Sequence, residues 1–86
     1  MHTVEMLEQA LDAVVQIGYQ IRQECLAGGG GGGCEVKGRK IFFLDLDLGV
    51  DEQLEQVLET LRREPEIAKL PMSPPLRELL GLQKIA

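Results

Sequence analysis

The chain has 86 residues, 44% of them hydrophobic and only 3% aromatic, with a formal net charge of −5. That length suits one domain spanning residues 1–86, and a chain of this size buries roughly 60–65% of its unfolded surface, so Leu, Ile and Val must fill a modest core. The acidic balance argues against nonspecific nucleic-acid binding, which rests on Lys and Arg neutralising phosphates, and against an anionic membrane surface. No apolar stretch approaches the ~20 residues of a membrane span.

Met1 to Glu5 lacks the basic region and apolar core of a secretion signal, so the expectation is a cytoplasmic protein of bacterial type. Thr3 is a candidate N-cap, although Met6 stands where a capping-box Glu would help. From there Val4, Leu7, Leu11 and Val14, with Ala10 and Val15 beside them, have the spacing of a helix with one buried face. Glu5, Glu8, Gln9, Asp12 and Gln16 fill the other face, and Gly18 should stop the helix. Tyr19 to Cys25 alternates as a strand does.

The six glycines from Gly28 to Gly33 follow. Flexible linkers have this composition, but strand-prone segments flank it, so it reads as a mobile hairpin loop or as a place where another backbone comes close. A phosphate cradle needs a helix directly after the glycines, with a Lys-Ser/Thr pair in the P-loop case. Here Cys34 and Glu35 follow, in a short strand of about Cys34 to Lys37. Gly38 makes a tight turn into a third strand, Arg39 to Leu46. Its consecutive Ile41, Phe42, Phe43 and Leu44 predict burial on both faces.

Gly49 and Asp51 open a second helix, with acids near its positive end. Leu54, Val57, Leu58 and Leu61 form its apolar stripe, and Pro65 blocks continuation. Pro65 to Met72 fits either a turn or an edge strand through Ile67 to Leu70. Ser73-Pro74-Pro75 starts a short helix, with Leu76, Leu79 and Leu80 inward and Gly81 at its end. The predicted fold is α+β: helix, a three-stranded mainly antiparallel meander, helix, short C-terminal helix.

Few residues suit catalysis. His2 is the one histidine, so no triad or zinc centre can be assembled from several. Cys34 lacks a histidine partner in a defined element. Cys25 and Cys34 would face each other across a hairpin, but without a secretion signal free thiols are expected. Asp45 and Asp47, with Asp51 and Glu52, form an acidic group, but Gly49 stands where a calcium loop needs a further acid. Lys37, Arg39 and Lys40 read as a solvated hairpin edge.

Gly18-Tyr19, Arg22, Leu26, Gly32-Gly33-Cys34, Lys37-Gly38, Ile41, Leu44-Asp45, Glu52-Gln53-Leu54 and Leu58 together resemble a family of small uncharacterised bacterial proteins over about residues 4 to 81. That resemblance implies no activity. The stretch Leu58-Glu59-Thr60-Leu61-Arg62 remotely resembles the H-E-x-x-H helix of ImmA/IrrE-type zinc metallopeptidases. It keeps Glu59 but has Leu58 and Arg62 in place of both zinc-binding histidines, which implies a catalytically dead remnant of a hydrolase fold. The element order also resembles Mrr-type nuclease folds. There Cys34 replaces the metal-binding Asp, Asp45-Leu46-Asp47 replaces the acid-x-Lys motif, and Glu35-Val36-Lys37 has that form one strand too early.

The sequence therefore points to a non-enzymatic protein-interaction domain with no catalytic, cofactor or metal residues. Its partner is expected to be another protein, first of all a second copy of itself in a homodimer with the sheet at or near the interface. The alternative is a metal-dependent hydrolase or nuclease-like domain using Cys34, Glu35, Asp45 and Asp47.

Overall fold

The computed structural model describes residues 3–82. Helix α1 (Thr3–Ile17) is followed by strands β1 (Gln20–Glu24), β2 (Gly32–Val36) and β3 (Arg39–Asp45), then helix α2 (Val50–Arg62), a 3₁₀ turn (Ile67–Lys69) and helix α3 (Pro74–Leu79). The α+β class and the order of helices and strands are those the sequence predicts.

Helix α1 begins at Thr3, so its capping position, like His2, lies outside the described residues. Its buried face is Met6, Leu7, Ala10, Ala13 and Val14. Val4 and Val15, expected inside, are 52% and 53% exposed; the stripe is centred one position further round, on the small residues that let α2 come close. Gly18 ends the helix at φ +113°, its N–H donating to the Val15 carbonyl at 3.0 Å. Glycine takes that conformation without a Cβ clash. In α2 the predicted stripe is the buried one: Leu54, Val57, Leu58 and Leu61. Ser73 caps α3, accepting from Leu76 N–H at 3.4 Å. The ambiguous stretch after Pro65 is a 3₁₀ turn that buries Ile67, not an edge strand.

The sheet differs from the predicted meander. Its strand order is β1-β3-β2. β3 lies in the middle, antiparallel to β2 across the Lys37–Gly38 turn and parallel to β1. The sheet is thus mixed rather than mainly antiparallel, and Gly28–Gly33 is not a hairpin loop, because the strands on either side of it never pair. The chain instead crosses the end of β3 to bring β2 down its far side.

Both long helices lie against one face of this sheet. Phe42 is 0% and Leu44 6% exposed there, in one core with Val14, Val57, Leu58, Leu61, Leu76 and Leu80. The alternate residues Ile41 and Phe43 are only half-buried. Burial on both faces was expected from the four consecutive apolar residues; the structure covers one face fully and leaves the other partly open.

The glycines let β2 approach α2. A Cβ on Gly33 would meet Thr60 Cγ2 at 2.6 Å and Tyr19 Cε2 at 3.2 Å, while the atoms nearest to one on Gly31 belong to the amide end of Gln56. We expect Gly33→Ala to lower stability by about 1–3 kcal/mol, the usual effect of overpacking. Gly31→Ala should cost less, because the Gln56 side chain can swing away. Urea denaturation of the two variants measures the difference; equal losses would contradict the close approach at Gly33.

Candidate interaction surface

The open face of the sheet is built by alternation. Register places Val36 beside Arg39, Cys34 beside Ile41 and Gly32 beside Phe43, and Gln20 and Arg22 on the far side of Ile41 and Phe43. Val36 is 48% exposed, and Cys34, Arg39, Gln20 and Arg22 are exposed. Gly32 has no side chain to cover the Phe43 ring on that side. On the other side the Arg22 guanidinium lies over the ring, 5.9 Å from its centroid, while also pairing with Glu24 at 3.3 Å. The centre of the face is therefore Val36, Ile41 and Phe43, with Arg22 and Arg39 at its border.

The two edges of the sheet differ. On β2 the Gly33 N–H donates to Thr60 Oγ1 at 3.2 Å, so α2 caps that edge. β1 has no strand on its outer side among the described residues.

Asp45 and Asp47 do something the sequence did not suggest. Asp45 is fully buried. Its Oδ1 accepts from Leu26 N–H at 3.0 Å and from Asp47 N–H at 2.9 Å, and its Oδ2 from Gly28 N–H at 2.7 Å. Asp47 Oδ2 accepts from Ala27 N–H at 2.8 Å. Consecutive backbone N–H groups of this kind form an anion-binding nest, and the anion here is the chain's own carboxylate pair. Gln53 Nε2 holds the Asp45 carbonyl at 2.8 Å. Burial pushes the Asp45 carboxyl up, but the N–H donors of Leu26, Asp47 and Gly28 outweigh it and hold its pKa below the ordinary value. The glycine run thus has side chains anchoring its start, which its composition hides.

These contacts disperse the residues of the metal-dependent alternative. Cys34 and Glu35 point to opposite faces of β2, and Cys34, level with Ile41, lies roughly 14 Å from Asp45. Among the described residues no group of His, Cys, Asp and Glu is arranged to hold a metal ion. Both cysteines are free and exposed. Cys25 follows β1 while Cys34 sits two strands away and five residues back in register, roughly 19 Å off, so the pair cannot face each other as hairpin residues would.

Most of the remaining candidates make contacts within the fold. Leu58 is 1% exposed in the core, Glu59 pairs with Arg63 at 3.6 Å on the surface, and Arg62 donates to the Leu79 carbonyl at 2.9 Å. The basic cluster divides: Lys37 and Arg39 are exposed, whereas Lys40 turns to the helix side and binds Glu64 at 2.8 Å. Tyr19 also donates to Glu64, at 3.1 Å. The Lys40 ammonium, helped by the Tyr19 hydroxyl and opposed by burial, holds Glu64 below the usual carboxylate range. Burial, then Glu64, pushes the Tyr19 hydroxyl up.

A cavity of about 810 Å³ lies between the 3₁₀ turn and α3, lined by Leu70, Met72, Pro75 and Leu82 among others, and its lining also carries the charged Lys69, Arg77 and Glu78. No helix among the described residues is long and apolar enough to cross a membrane. Compared with family models, with curated proteins and with solved structures, the chain has no match.

Proposed function

We propose that this chain is a small non-enzymatic protein-interaction domain that works by pairing with a second copy of itself, with the sheet at or near the interface. The open sheet face carries this reading. On one side of the sheet Val36 is exposed and Ile41 and Phe43 are half-buried, while the other side is already occupied by both long helices. Patches of that kind on small proteins mark contact sites. The carboxylate that would anchor a metal chemistry, Asp45, is already committed to three backbone donors. The helix that resembles the metallopeptidase motif uses Leu58 for packing, in keeping with a remnant that has kept a fold and lost its chemistry. Two free exposed thiols suit the reducing bacterial cytoplasm, where we place the protein.

Sedimentation velocity across micromolar concentrations, with reductant present, tests the proposal. We expect the mass to rise from one copy to two. A single species of one copy throughout would overturn it.

A further inference from the structure

We propose that β1 is the strand through which two copies join, pairing antiparallel with its own symmetry mate about Gln23 to make a continuous six-stranded sheet. This rests on the self-association reading and specifies its geometry.

The backbone directions come first. The Glu24 carbonyl points inward, accepting from Leu46 N–H at 2.9 Å. Backbone groups alternate along a strand, so Ile21, Gln23 and Cys25 present their N–H and C=O groups to the outer edge. β1 has neither proline nor glycine to blunt that edge. The opposite edge is the poorer template, since it begins with two glycines and Thr60 already takes the Gly33 N–H.

Charge then selects the register. A two-fold axis at Arg22 would set Arg22 against its own copy, and an axis at Glu24 would set two carboxylates together. Like charges directly opposite each other destabilise a strand pair. An axis at Gln23 sets Arg22 against Glu24 of the partner subunit, twice by symmetry. The same register lets Ile21, Gln23 and Cys25 exchange both their backbone bonds with the facing strand. Arg22 and Glu24 both stand on the open face, at 55% and 40% side-chain exposure, so neither must leave a buried position to meet its new partner. The joined sheet would present two copies of the Phe43 centre on one broad face.

The test is charge exchange within one chain. Arg22→Glu and Glu24→Arg should each weaken the dimer by about tenfold, since each turns two attractive cross-strand pairs repulsive. The double variant Arg22→Glu/Glu24→Arg should restore dimerisation, because it is self-complementary again. In a Cys25→Ser/Cys34→Ser background, Gln23→Cys should form a disulfide-linked dimer on mild oxidation, the paired positions being about 5.5 Å apart between Cα atoms. Circular dichroism checks that each variant is folded. A dimer indifferent to all three charge variants, yet lost on Phe43→Ala, would overturn the edge pairing and leave self-association standing through the sheet face. A wild-type chain that stays monomeric would overturn both.

Discussion

Phe42→Ala is expected to lower stability by about 3–5 kcal/mol, the usual loss for a buried phenylalanine, while Phe43→Ala, one residue along, lowers it by about 1 kcal/mol. Phe42 is 0% exposed and packs among residues of both long helices. Phe43 points the other way and is only half-buried. A domain of this size has about 5–15 kcal/mol in total, so the first change removes a large part of it and the second does not. A dimer joined along β1 should survive both changes, because neither side chain lies on that edge; Phe42→Ala leaves the open face intact, and Phe43→Ala removes its largest apolar side chain. Urea titration of both variants decides the matter. Equal losses would mean that the second face is covered, and the open-face reading would fall with it.

Asp45→Ala is expected to release the start of the glycine run. Leu26 and Gly28 would lose their acceptor in a partly buried site, and an N–H shielded from water without a partner is costly. Amide exchange should accelerate at Leu26 and Gly28 well before the core strands open. Asp45→Asn should be intermediate, keeping one acceptor but turning an N–H₂ group toward a donor. The pH dependence follows from the lowered pKa. In the unfolded chain this carboxyl titrates near its ordinary value, so its contribution is fully present above that value and is lost as pH falls through the lower folded-state value. Glu64 acts with the same sign. The wild type should therefore lose stability in acid more steeply than Asp45→Asn, in which the Glu64 contribution remains. Parallel acid curves would show that Asp45 does not hold the loop as a carboxylate.

Much of the helical layer was legible in the sequence, because a period of 3.6 is written into the order of Leu, Val and Ala. Leu54, Val57, Leu58 and Leu61 needed no tertiary information. Val4 and Val15 were misplaced because residues at the border of a stripe are assigned by their neighbours on α2, which the local pattern does not encode. The sheet was harder for a related reason. Alternation marks β1 as a strand and a consecutive apolar run marks β3, but chain order says nothing about which strand lies in the middle. The apolar run Ile41–Leu44 was a clue, since a central strand is apolar on both sides more often than an edge strand. Asp45 was read only as one member of an acidic group with Asp47, Asp51 and Glu52. Its partners are backbone N–H groups of Leu26, Asp47 and Gly28, and backbone groups carry no residue identity for a motif to match. The half-open face was not anticipated, since the Ile41–Leu44 run predicted burial on both sides, and the free edge of β1 became visible only once β3 was known to separate the other two strands.

The separation of Cys25 and Cys34 has a practical outcome for anyone handling the protein. Two exposed sulfurs that cannot reach one another within a chain make each molecule a bifunctional monomer in the polymer chemist's sense. Air oxidation joins such units end to end by step growth, through Cys25–Cys25, Cys34–Cys34 or mixed links, and gives a ladder of covalent oligomers rather than one discrete product. The ladder collapses on adding dithiothreitol, whereas a non-covalent pair of subunits is indifferent to it.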